Sequence, residues 1–195
     1  ILISLFFCLG LLDDIFNINA FLKLFTSILL LYFFVDFFQL EQIYFNTLGI
    51  ISLDEKFSIF FSILAILLFI NSSNMIDGIN GLSLSYFIFI CFILILTNKN
   101  HDPNFFFFLI INLLVLFFLN LKEKLFLGDA GIYFICIIFG QIIMSNHKVG
   151  IDTQQFYNFL FAENIFLIMI FPGLDMLRLF IVRIAKTRSP FSPDR

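Results

Sequence analysis

Apolar residues in this chain come in long runs broken by short polar stretches, a pattern that predicts membrane-crossing helices rather than the two-faced elements of a soluble domain. Runs near the roughly 20 residues needed to cross a bilayer fall at about 21–38, 57–73, 82–97, 104–120, 130–146 and 158–182, preceded by the end of another at about 1–12. The expected architecture is all-α, a polytopic transmembrane helix bundle of about six spans and a remnant. Connections are short and show no internal repeat, so residues 1–195 read as a single integral membrane domain. The chain starts inside an apolar run without a Met and stops in a basic, Pro-containing tail, which reads as a fragment truncated at both ends.

Composition agrees. Hydrophobic residues make up 61% and charged residues 13% of the chain, with a mean hydropathy of +1.06, which excludes an ordinary soluble domain. There are 33 Phe and no Trp, so Tyr32, Tyr44, Tyr86, Tyr133 and Tyr157 are the aromatics left for the membrane interface. Cys8, Cys91 and Cys136 sit inside apolar runs without the spacing of a zinc site or a disulfide framework, and read as core or lipid-facing residues.

Alternating spans sort the connections into two sets. Segments 13–20, 74–81, 121–129 and 183–195, with their flanking helix ends, carry Lys23, Lys122, Lys124, Arg178, Arg183, Lys186, Arg188 and Arg195. Segments 39–56, 98–103 and 147–157 carry Lys56, Lys99 and Lys148. The positive-inside rule places the first set in the cytoplasm. His101 and His147 fall in loops of the opposite set, and Asp36, Glu41, Asp54, Glu55, Asp102 and Asp152 read as solvated loop or interface charges.

The chemistry-bearing breaks all fall in the first set. Asp13 and Asp14 close an apolar helix, where a charge at bilayer depth costs about 2.5–3.5 kcal/mol; such a pair wants a cation, although an interfacial helix stop would look similar. Lys23 lies near enough to serve as counter-charge or to hold a phosphate. Asn71 to Leu82 sets Asn74, Asp77 and Asn80 among two glycines, supplying donors, acceptors and close backbone approach suited to a nucleotide, or simply making a polar turn. Gly128-Asp129-Ala130-Gly131 opens a helix, where free N–H groups and the helix dipole favour an anion such as a diphosphate and Asp129 would bring a metal to it; an N-cap Asp is the plain alternative. Pro172-Gly173-Leu174-Asp175 is expected to break the last span beside a polar cavity, with Asp175 and Arg178 spaced for an i,i+3 pair.

In this order the motifs resemble those of the polyprenyl-phosphate N-acetylhexosamine-1-phosphate transferases, glycosyltransferase family 4. That membrane family includes the phospho-N-acetylmuramoyl-pentapeptide transferases and the UDP-GlcNAc:undecaprenyl-phosphate GlcNAc-1-phosphate transferases. The residues that carry the likeness are Gly10-Leu-Leu-Asp-Asp, Asn71-x-x-Asn-Met-x-Asp-Gly-x-Asn-Gly-Leu, Phe126-Leu-Gly-Asp-Ala-Gly, Asp175-Met-Leu-Arg and Arg188-Ser-Pro-Phe-Ser-Pro-Asp-Arg195, and the tail is closer to the GlcNAc branch. The resemblance implies attack of a polyprenyl phosphate on the β-phosphorus of a UDP-N-acetylhexosamine, giving a lipid-linked sugar diphosphate and UMP, with Mg²⁺ as cofactor and Mn²⁺ as a possible substitute. It implies that Asp129 ligates the metal and that Asp13 and Asp14 orient or deprotonate the lipid phosphate. Lys23, Asn74, Asp77, Asn80 and Gly128 would help hold the nucleotide sugar and its phosphates, and Arg178, Arg188, Asp194 and Arg195 would border the sugar or diphosphate pocket. It further implies a multi-pass protein of a bacterial inner membrane with its site facing the cytoplasm, acting in cell-envelope polysaccharide synthesis such as lipopolysaccharide or cell-wall precursors, and a homodimer.

The sequence departs from the family pattern at two positions. Asn80 stands where the family often has Asp, which keeps hydrogen bonding but removes a charge, and Ile132 stands where Ser is common. The family's His-rich motif would lie beyond Arg195. The rival reading is a secondary transporter or ion pathway, which would set its acids near the middle of spans and on both halves of a repeat.

Overall fold

The computed structural model describes residues 1–78, 80–97, 103–153 and 160–186. Among these are seven helices, α1 (Leu2–Phe16), α2 (Ala20–Phe33), α3 (Glu55–Ile76), α4 (Leu82–Thr97), α5 (Pro103–Leu121), α6 (Gly128–Thr153) and α7 (Ala162–Ala185). The architecture is the expected all-α polytopic bundle, and α3, α5, α6 and α7 are each long and apolar enough to cross a bilayer. Helix ends follow the local chemistry. Asn17 adopts the left-handed conformation (φ 49°) that closes α1, its N–H bonding to the Asp13 carbonyl at 2.8 Å. Two residues on, the Asn19 side chain accepts the Phe21 N–H at 3.0 Å and opens α2.

α6 is the central helix. It packs most extensively against α1 and also lies along α3, burying Ile132, Tyr133, Cys136, Phe139 and Ile143. Two glycines set these spacings. A Cβ on Gly10 would stand 2.6 Å from the Ala130 backbone, and one on Gly140 would stand 2.6 Å from Ile66 Cδ1, so small residues let the helices approach as they do in lipid. α5 packs on α4 and α7 on α3, and both leave large apolar side chains such as Phe108, Phe118, Phe166 and Ile181 exposed. In water that surface would drive aggregation; in a bilayer the acyl chains cover it.

Four expectations are corrected. The 39–56 connection contains an antiparallel hairpin, β1 (Gln42–Phe45) and β2 (Gly49–Ser52), with Phe45 paired to Gly49. Next, α6 runs to Thr153, so His147 and Asp152 belong to a helix rather than a loop. His147 is buried: its Nε2 accepts the Tyr44 N–H at 3.1 Å and its Nδ1 lies 2.8 Å from the Leu160 carbonyl. A carbonyl can only accept, so Nδ1 carries the proton and the ring is neutral. Third, α7 continues through Pro172 without a break. Proline strips the Ile168 carbonyl of its helical partner, and the Tyr86 hydroxyl takes its place at 3.1 Å. Fourth, Tyr86 and Tyr133 are buried rather than interfacial. Cys91 and Cys136 are buried and Cys8 is exposed, all free thiols.

Candidate active site

The ends of α1, α3 and α5 meet the starts of α2, α4 and α6 at one end of the bundle, opposite the hairpin. Asp13, in the last turn of α1, places Oδ2 2.8 Å from the Lys23 ammonium, which also pairs closely with Asp129 Oδ2 at the start of α6. The Tyr133 ring lies 5.7 Å from the same ammonium, close enough for a cation–π contact. One cation thus holds three helix ends together. Among the described residues, no donor reaches hydrogen-bond geometry at Asp13 Oδ1, although that atom is fully buried.

Asp14 points the other way. Its Oδ1 accepts the Asp129 N–H at 2.9 Å and its Oδ2 the Ala130 N–H at 3.1 Å, so a carboxylate from α1 caps the N-terminus of α6 where the helix dipole favours negative charge. Gly128 permits this approach. It sits at φ +65°, and a Cβ there would stand 2.8 Å from Asp14 Oδ2.

Asp77 closes α3 and accepts a short hydrogen bond from the Ser83 hydroxyl on the first turn of α4. Burial pushes its carboxyl above the usual carboxylate range; the Ser83 hydroxyl and the Gly128 amide oppose that shift and the nearby charge of Asp14 adds to it. Asp13, Asp14, Asp77 and Asp129 therefore share one neighbourhood with the Lys23 ammonium, an acidic cluster suited to cations. Asn74 lies half-buried in the last turn of α3, its carbonyl accepting the Asp77 N–H at 3.3 Å. The exposed Asn80 donates to Glu123 at 3.3 Å.

Asn120 is a residue that the sequence reading missed. Buried at the end of α5, it accepts the Gly81 N–H and donates to the Leu125 carbonyl at 2.9 Å, tying the segment after α3 to the segment before α6. An amide this near the end of a long apolar helix was its only signal. Arg178 pairs with Asp175 at 2.7 Å on the exposed side of α7, as its spacing predicted, and this pair joins it to its own helix rather than to the acidic cluster. Arg188, Asp194 and Arg195 lie outside the described residues, as do His101 and Tyr157.

Among the described residues no three His, Cys, Asp or Glu side chains form a ready-made metal cage. Mg²⁺ rarely needs one, since it keeps several waters and uses one or two carboxylates plus substrate phosphates. The hard oxygens of Asp13 and Asp129, already converging on one cation, with an unmet acceptor at Asp13 Oδ1, fit such an ion.

The model of the family described as "Glycosyl transferase family 4" matches residues 1–147. The chain belongs to glycosyl transferase family 4. No curated protein matches it significantly. The matched span contains every residue of the acidic cluster, and with the spanning helices it makes this family 4 chain a multi-pass membrane enzyme that transfers a sugar phosphate to a polyprenyl phosphate.

Proposed function

We propose that this family 4 enzyme transfers N-acetylhexosamine-1-phosphate, in particular GlcNAc-1-phosphate, from a UDP-sugar to undecaprenyl phosphate and releases UMP, with its site on the cytoplasmic face of a bacterial inner membrane. The observation that carries this reading is the meeting of Asp13, Lys23 and Asp129 from three helices at one end of the bundle. Phosphoryl transfer asks chiefly for positioning and neutralisation of charge, and the cluster provides a fixed set of carboxylates for a cation and an ammonium for an anion. Acids gathered at one face also suit a cytoplasmic nucleotide substrate better than an ion path through the membrane.

Asp129 would hold Mg²⁺, with Asp13 beside it. The ion, when bound, supplies charge neutralisation at the diphosphate. Asp13 faces the lipid phosphate with its unmet oxygen, and Asp14 holds α6 in place so that Asp129 keeps its aim. Asn74, Asp77 and Asn80 line the neighbouring turn where the nucleotide would lie, and the family likeness would give Arg178, Arg188, Asp194 and Arg195 the sugar or diphosphate side.

The test is direct. Membranes expressing the protein, given UDP-GlcNAc and undecaprenyl phosphate, are expected to release UMP and form a lipid-linked GlcNAc diphosphate, and EDTA is expected to stop both. UMP release from another UDP-N-acetylhexosamine but not from UDP-GlcNAc would reject the GlcNAc assignment, and turnover unaffected by EDTA would reject the metal.

A further inference from the structure

Lys23 occupies an unusual place for a substrate-binding lysine. Its ammonium is not open to the site; it is engaged by Asp13 at 2.8 Å and by Asp129, covered by the Tyr133 ring, and its side chain is 17% exposed. The carboxylates it bridges are those best placed to take a divalent cation, and they still carry one oxygen, Asp13 Oδ1, with no donor. Two carboxylates against one ammonium leave the group with one net negative charge, whereas a doubly charged cation in place of the ammonium would balance it. A monocation and a dication cannot both sit against the same two carboxylate oxygens without strong mutual repulsion at that range.

We propose that Lys23 is a resident counter-ion that a divalent cation displaces. In the metal-free protein the ammonium keeps Asp13 and Asp129 together and prevents two buried carboxylates from repelling each other; on metal loading the flexible four-carbon stem carries it out of the pair. This rests on the transferase reading with its metal at Asp129, and adds to it an exchange between two cations at one position. Asp14 takes no part, because both of its oxygens are held by α6 amides.

The experiment uses the full chain purified in detergent, with Mn²⁺ as probe. Binding is followed by the electron paramagnetic resonance of free Mn²⁺, and Lys23 accessibility by reductive methylation and mass spectrometry, with the exposed Lys122 and Lys124 as internal references. Lys23→Met is expected to bind Mn²⁺ about tenfold more tightly than the wild type. In the wild type, Lys23 is expected to resist methylation without Mn²⁺ and to react like the two reference lysines when Mn²⁺ is saturating. The methylation result separates displacement from a simple loss of positive charge, and it stands on the wild type alone should the variant fail to fold. Lys23 that stays protected with Mn²⁺ bound overturns the exchange and leaves the transferase reading intact. Failure of both proteins to bind Mn²⁺ overturns the exchange together with the metal assignment.

Discussion

Asp14 caps Asp129 across the α1–α6 interface: one carboxylate oxygen accepts the Asp129 amide at 2.9 Å, and the other accepts the Ala130 amide at 3.1 Å. The adjacent carboxylates of α1 thereby have separate work, since Asp13 turns to Lys23 and Asp14 to the helix backbone. Removing a cap of this kind costs about 0.5–2 kcal/mol. Asp14→Ala is expected to lower thermal stability in detergent by that order and to reduce UMP release through misplacement of Asp129. Asp14→Asn retains an acceptor and is expected to recover part of both. Equal loss in the two variants, with stability unchanged, would show that the Asp14 charge acts on substrate instead.

Asp129 is expected to tolerate no such compromise. Asp129→Asn keeps the shape of the side chain but removes the charge proposed to hold the metal, and turnover is expected to fall by at least about 10²-fold, the order seen when a principal electrostatic contact to a transition state is lost. UMP release at saturating UDP-sugar checks this, and an unchanged rate would remove Asp129 from the metal role.

The close approach of α1 to α6 yields a paired stability test. Gly10→Ala puts a Cβ about where the Ala130 backbone already lies, 2.6 Å away, and is expected to destabilise by about 1–3 kcal/mol through overpacking. Gly173, inside α7, has nothing within 4 Å of such a Cβ. Gly173→Ala is therefore expected to be neutral or to stabilise by about 0.5–1 kcal/mol, the usual gain over glycine in a helix. Thermal unfolding of both variants in one detergent makes the comparison.

Much of this arrangement could be read from the amino-acid pattern because a bilayer imposes so strong a length rule. Each apolar run became a helix, and the parity of the runs brought Asp13, Asp77 and Asp129 to one end of the bundle. Parity says which end a residue occupies and nothing about what it touches. That Lys23 bridges Asp13 and Asp129 while Asp14 caps α6 depends on the rotation and spacing of helices set by Gly10 and Gly140, which are contacts between residues far apart in sequence. The hairpin escaped notice for a different reason. Its strands are four residues each, too short to show a period, and it is held by Tyr44 to His147 and Asn46 to Glu163, again partners distant along the chain. Local rules also failed at Pro172, where proline signals a break only if no other group satisfies the orphaned carbonyl.

That last case can be tested as a cycle. The Tyr86 hydroxyl donates to the Ile168 carbonyl at 3.1 Å, and the Tyr86 ring stacks on Phe171 with centroids 5.9 Å apart. Tyr86→Phe keeps the stacking and leaves a buried carbonyl without a donor, at an expected loss of about 1–3 kcal/mol. Pro172→Ala restores a main-chain N–H that can return to Ile168, so Tyr86→Phe made in that background is expected to lose much less. The coupling measured from the four unfolding transitions isolates the hydroxyl's replacement of the missing helical donor. Additive losses would mean that Tyr86 supports α7 through its ring alone.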